Sequence, residues 1–228
     1  MKILAVADKE DPRFWDFYDP QRAAGLDLIL SCGDLDPDYL QFLVTMTSCP
    51  VLYVRGNHDR KYDRRPPEGC ISIDDRVYDF HGLRILGLGG SMRYQPGAPD
   101  MYTEQEMCRR IRRLKSRIAM TNGFDVLVTH APCRGYGDMD DLPHQGFACF
   151  NELLMKWKPG YMLYGHVHKE YGEFQRETEH ESGTKLINAY ESHFFSVGDD
   201  EHPPKGRTGS ALYDLYISLQ ERKNRGRY

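Results

Sequence analysis

A series of polar residues strung along the chain is of the types that bind cations or move protons: Asp8, Asp34, Asn57, His58, Asp59, His130, His166 and His168, with Glu10 beside the first. They offer oxygen and imidazole donors and no thiolate. That set suits Mn²⁺, Fe or Zn²⁺ at a reaction centre better than it suits a structural zinc cage. Structural sites also tend to gather their ligands locally, whereas these residues run from Asp8 to His168. Taken singly, an Asp after a strand is usually a turn or cap residue, and a lone His is usually a satisfied loop residue. It is their coincidence that points to a metal centre.

Each of these residues follows a short apolar run. Residues 3–7 end at Asp8, 28–32 at Gly33-Asp34, and 51–55 at Gly56-Asn57-His58-Asp59. Residues 126–129 end at His130, and 161–164 at Gly165-His166. Runs of this length, rich in β-branched residues and closed by glycine, read as buried strands. Helices are expected over 38–48, 103–120 and 149–157. Thr103 and Glu106 form a capping box at the start of the second, and Asn122-Gly123 ends it. Strands alternating with helices make an α/β protein, in which ligands bind beyond the carboxyl ends of the strands. More strands are expected at 70–73, 77–80 and 83–88, as a meander between two parallel halves, and at 184–189. A last one at 210–219 has Ala211, Tyr213, Leu215, Ile217 and Leu219 alternating onto one face. Two packed sheets with helices outside accommodate all of these. A single domain is expected over 1–220, with a mobile loop at 199–209 and a frayed tail at 221–228.

The 228 residues are 40% hydrophobic and 28% charged, which describes a folded globular chain and excludes disorder throughout. The net charge of −4 argues against a general nucleic-acid coat. No apolar run approaches the roughly 18–20 residues of a membrane span, and residues 1–7 are too short for a secretory signal. Six scattered cysteines without a C-x-x-C pair read as reduced thiols, so the expected compartment is the cytoplasm.

The series Asp8, Gly33-Asp34, Gly56-Asn57-His58-Asp59, His130 and Gly165-His166-Val167-His168 resembles the calcineurin-like metallophosphoesterase superfamily in order and spacing. The resemblance implies a four-layer αββα sandwich of two mixed β-sheets flanked by helices. It also implies a phosphoesterase in which a metal-bound hydroxide cleaves a phosphate mono- or diester at a two-metal site. Asp34 would bridge two divalent ions (Mn, Fe or Zn, with Mn favoured). Asp8 and His168 would complete the first ion's ligands, and Asn57, His130 and His166 would hold the second. Two close cations polarise a phosphoryl group and lower the pKa of bound water, and a carboxylate is the natural bridge between them. His58 would face the substrate and either stabilise the phosphate or protonate the leaving oxygen, with Asp59 holding and charging its imidazole.

One position departs from the family, whose first motif is Asp-x-His where this chain reads Asp8-Lys9-Glu10. Three readings follow. Glu10 ligates as an oxygen donor, which is favoured; or it points away and leaves a weak first site; or the centre is mononuclear. Arg93, Arg134 and His144 lie on loops that select substrate in the sharper reading and simply pack in the plainer one. The cations of 109–117 read as a solvated helix face. The expected partner is a small phosphate ester, not a membrane or nucleic acid, and the oligomeric state stays open. A non-catalytic binding protein of the same fold and a nuclease are the alternative readings.

Overall fold

The computed structural model describes residues 1–172 and 174–225. The chain first lays down β1 (Lys2–Ala7), β2 (Leu28–Ser31), α1 (Pro37–Thr47), β3 (Val51–Tyr53) and β4 (Ile71–Ser72). These four strands run parallel, and β13 (Glu191–Ser196) returns from the far end of the sequence to pair antiparallel with β1. The second sheet holds β5 (Arg76–Phe80), β6 (Leu83–Leu88), β9 (Val126–Thr129), β10 (Tyr161–Tyr164), β11 (Glu177–Glu179) and β12 (Lys185–Asn188). Its order is β11-β12-β10-β9-β6-β5, parallel at the centre with antiparallel edges. A short parallel pair, β7 (Ser91–Met92) and β8 (Met101–Tyr102), leads into α2 (Glu104–Met120), and α3 (Ala148–Trp157) precedes β10.

Burial sorts by layer. Ile3, Ala5, Leu28, Leu30 and Leu52 face Ile85, Val126, Val128, Leu163 and Ile187 between the sheets. On the outside of the first sheet, Leu4, Val6 and Ile29 pack on Tyr39, Leu40 and Leu43 of α1. Outside the second, Leu86, Leu127 and Met162 pack on Met107, Leu114 and Ile118 of α2 and Phe150, Leu153 and Leu154 of α3. The strands are apolar on both faces because both faces are covered. This is the αββα sandwich.

The capping box of α2 forms as read: the Thr103 side chain accepts from the Glu106 amide, and Glu106 reaches back to the Thr103 amide. Three expectations need correction. Residues 70–88 are not one meander: β4 extends the first sheet, while β5 and β6 form a hairpin on the edge of the second. Residues 210–219 are not a strand but the start of α4 (Ala211–Arg225). Their alternation also satisfies an i, i+4 pair, and it is Tyr213 and Ile217 that α4 buries, leaving Leu215 and Leu219 exposed. The segment 199–209 is tied down, with Glu201 accepting from the Tyr161 hydroxyl and the Thr208 carbonyl accepting from the Asn122 amide. Of the expected tail, 221–225 continue α4, and 226–228 lie outside the described residues.

Candidate metal centre

The carboxyl ends of β1, β2 and β3 in one sheet and of β9 and β10 in the other open onto one crevice, as a parallel arrangement requires. The chain turns sharply on leaving them. Asp8, Asp34 and His166 all have left-handed backbones (φ 67°, 57° and 69°), a conformation that costs a non-glycine residue energy and turns its side chain out over the strand ends. Two glycines are required by close approach. A β-carbon at Gly56 would overlap the Asp34 carboxylate, and one at Gly165 would overlap that of Asp8.

At one corner lie Asp34, Asn57, His130 and His166. His130 is fully buried, and its Nδ1 donates to the Cys32 carbonyl at 2.8 Å. Its Nε2 therefore faces Asn57 Oδ1 at 3.0 Å, Asp34 Oδ2 at 3.2 Å and His166 Nδ1 at 3.1 Å. His166 is fixed in the opposite sense, since its Nε2 donates to the Pro143 carbonyl at 2.7 Å and leaves Nδ1 inward. Two backbone carbonyls thus set the two tautomers so that both free ring nitrogens point at the same volume as two side-chain oxygens. Four electron-pair donors facing one another repel unless a cation or a proton lies between them, so this donor set fits a metal ion.

In the metal-free chain a proton takes that place. Burial disfavours charge on His130, but the charges of Asp34 and Asp8 and the bonds to Asp34 and Cys32 outweigh it and raise the imidazole to about 10. Burial, then the charge of His130, takes His166 down to about 3. Burial of Asp34 is likewise outweighed, chiefly by His130 and the His58 amide, and its carboxyl falls to about 2.

The other corner is looser. Both oxygens of Asp8 accept from the His166 amide, at 3.0 and 2.9 Å. His168 Nε2 stands 3.5 Å from Asp8 Oδ1, and its ring, 31% exposed, stacks on Tyr171 and tilts against Tyr190. Glu10 is not brought into the cavity: its Oε1 accepts from the Asp36 amide at 3.2 Å, which helps to fix the chain ahead of α1. The favoured ligand role for Glu10 is corrected accordingly, in favour of the reading in which it points away.

Asp59 also departs from expectation. Its Oδ2 accepts from the amides of Asp34 and Gly56, each at 2.8 Å, and so holds two strand ends together, not the His58 ring. Burial and the Asp34 charge push its carboxyl up to about 7. His58 donates its amide to Asp34 Oδ1 at 2.7 Å, while its ring lines the cavity and makes no hydrogen bond among the described residues.

The cavity of about 230 Å³ is lined by Asp8, Asp34, Asn57, His58, His166 and His168, and by Tyr94, Pro143, His144 and Tyr171. His144 bonds Asp141 and packs 4.7 Å from the Tyr171 ring. Arg93 turns instead to Glu106 and the Met101 carbonyl, and Arg134 to the Gly146 carbonyl, so neither lines the cavity. Sequence reasoning missed Tyr171 and the two anchoring carbonyls. It also set aside Tyr190, which follows β12 at the same edge and whose ring tilts against that of His168.

A family model, the calcineurin-like phosphoesterase superfamily domain, matches residues 1–194. UPF0046 protein T07D4.2 of Caenorhabditis elegans is 28% identical over 106 residues, which cover 45% of this chain and 25% of that protein. UPF0046 protein C25E10.12 of the same organism is 29% identical over 173 residues, covering 62% and 58%. The chain thus spans a quarter and just over half of these relatives' lengths. Among solved structures, TT1561 of Thermus thermophilus superposes with a TM-score of 0.59 at 16% identity, covering 83% of this chain and 88% of its own. At that identity the likeness is one of fold.

Proposed function

Because the chain belongs to the calcineurin-like phosphoesterase superfamily, we propose that it is a divalent-metal-dependent hydrolase of phosphodiesters. The observation that carries this reading is the pair of free ring nitrogens on His130 and His166, aimed with Asp34 and Asn57 at one point. Asp34, Asn57, His130 and His166 would hold one ion, and Asp8, Asp34 and His168 a second, weaker one. When bound, such ions supply Lewis acidity toward the phosphoryl oxygens and an acidified water.

The chain's own groups do the rest. His58, whose ring is free at the cavity wall, is placed to give a proton to the leaving oxygen. Its main-chain bond to Asp34 ties that acid to the ligand set. Asp59 keeps the Asp34 and Gly56 turns in register. No lysine or arginine lines the cavity among the described residues, so a singly charged diester fits it better than a dianionic monoester. Tyr94 and Tyr171 offer flat walls to whatever the phosphate carries.

The test is hydrolysis of bis-p-nitrophenyl phosphate against p-nitrophenyl phosphate by Mn²⁺-reconstituted protein, with Asp34→Asn as control. Diester turnover at least about tenfold above monoester turnover, lost in the variant, supports the proposal. Equal turnover of both contradicts the preference for diesters, and absent turnover of both contradicts the hydrolase reading altogether and favours a binding protein on the same scaffold.

A further inference from the structure

Away from the crevice, on the outer side of the second sheet, the geometry points to a second and chemically different cation site, formed by Glu104, Cys108 and Cys149 and suited to a soft divalent ion of the zinc class. Glu104 and Cys108 stand four residues apart on α2 and therefore share a helix face. Cys149 is the second residue of α3, which packs against that face. One ligand atom from each of the three lies within 4.8 Å of the other two. Among the described residues only Asp34, His130 and His166 converge in the same way.

Three features raise this cluster above chance packing of two small thiols. First, its carboxylate is already oriented. Glu104 Oε1 accepts from the Cys149 amide at 2.7 Å and Oε2 from the Ala148 amide at 3.1 Å, the outer hydrogen bonding that a ligating carboxylate needs. Second, the ion has a way in. Both cysteines line a cavity of about 440 Å³ between α2 and α3, which leaves a fourth coordination position for water. Third, cations surround the thiols, in excess over the Glu152 carboxylate that lines the same cavity. Two thiolates, a carboxylate and a divalent ion sum to −1, and Arg112, Lys115 and Lys156 line the same cavity.

Two sulfur donors select against the Mn²⁺ that the crevice, with only oxygen and nitrogen, accepts. Binding releases the two thiol protons to solvent and ties α2 to α3. These helices cover β9 and β10, whose ends carry His130 and His166.

The experiment uses the full chain, reduced with a phosphine and stripped of metal. Titration with Cd²⁺ is expected to raise a saturable thiolate-to-metal ultraviolet band that Asp34→Asn retains and the Cys108→Ser/Cys149→Ser double variant loses. Zn²⁺ is expected to withdraw a pair of thiols from reaction with a disulfide reagent in the unmodified protein, a readout that requires no variant to fold. A missing band, a band that survives in the double variant, or thiols that react equally with and without zinc overturns the site. Because the band reports sulfur alone, its failure is separate from any failure of the crevice chemistry.

Discussion

The two corners of the crevice are built differently. At the His130 corner every ring is fixed by a backbone carbonyl, burial is nearly complete, and four donors converge before any ion arrives. At the Asp8 corner the carboxylate is occupied by a neighbouring amide, His168 is stacked rather than tethered, and the family's third donor is replaced by a Glu10 turned to Asp36. Preorganisation lowers the cost of binding, so the first corner should hold its ion tightly and the second should fill only at higher concentration.

The sharpest break of that contrast comes from deleting one imidazole from each corner. His130→Ala should lower diester hydrolysis by more than about 100-fold at any Mn²⁺ concentration, beyond what loss of an outer partner alone costs. His168→Ala should lose activity at limiting Mn²⁺ and regain most of it in excess, as steady-state rates across a metal series would show. Equal rescue of both variants would erase the distinction between the corners.

A smaller effect concerns pH. In the metal-free protein His130 is raised above its ordinary 6.5 to about 10, so its contribution to stability is complete below pH 6.5 and is lost as pH climbs toward 10. Asp59, raised to about 7, loses the last of its own contribution in the same direction as pH passes 7, and His166, lowered to about 3, is neutral across the window. The metal-free Tm should therefore fall from pH 7 to pH 10. The Mn²⁺-loaded Tm should fall less, because the ion replaces the His130 proton. Parallel thermal melts with and without Mn²⁺ read the difference, and curves that stay parallel would contradict it.

Tyr171 lies against His168 and His144, so Tyr171→Ala should loosen the second corner and raise KM for a diester about three- to tenfold, within the range of a lost aromatic contact. A loss confined to kcat would place the ring in the chemistry instead. The smallest effect belongs to Glu10→Ala. Metal stoichiometry should stay unchanged and stability should fall by no more than about 1 kcal/mol, as expected for one half-exposed hydrogen bond. Loss of one bound ion, measured by elemental analysis, would restore Glu10 as a ligand.

Much of the first corner was legible because the information is local: a strand followed by a donor, with a glycine forced by close approach ahead of Asp34, Asn57 and His166. The same signal gave the layered fold, since runs buried on both faces imply covered sheets. What escaped was long-range. Nothing in residues 191–196 announces a partner at β1, and alternating apolar residues at 211–219 fit both a strand and the one-sided burial of α4. Glu10 and Asp59 were misplaced because a carboxylate's partner there is a backbone amide, and amides carry no sequence signature. The carbonyls of Cys32 and Pro143 that set the histidine tautomers were invisible for the same reason.

The most direct measurement is calorimetric titration of Mn²⁺ into the metal-free protein at pH 7.5 in buffers of differing ionisation enthalpy. Two binding events of unequal affinity are expected, with the tighter one releasing close to one proton as the ion displaces it from His130. A tight event without proton release, or no tight event at all, would contradict the account of the His130 corner as a preformed cation site.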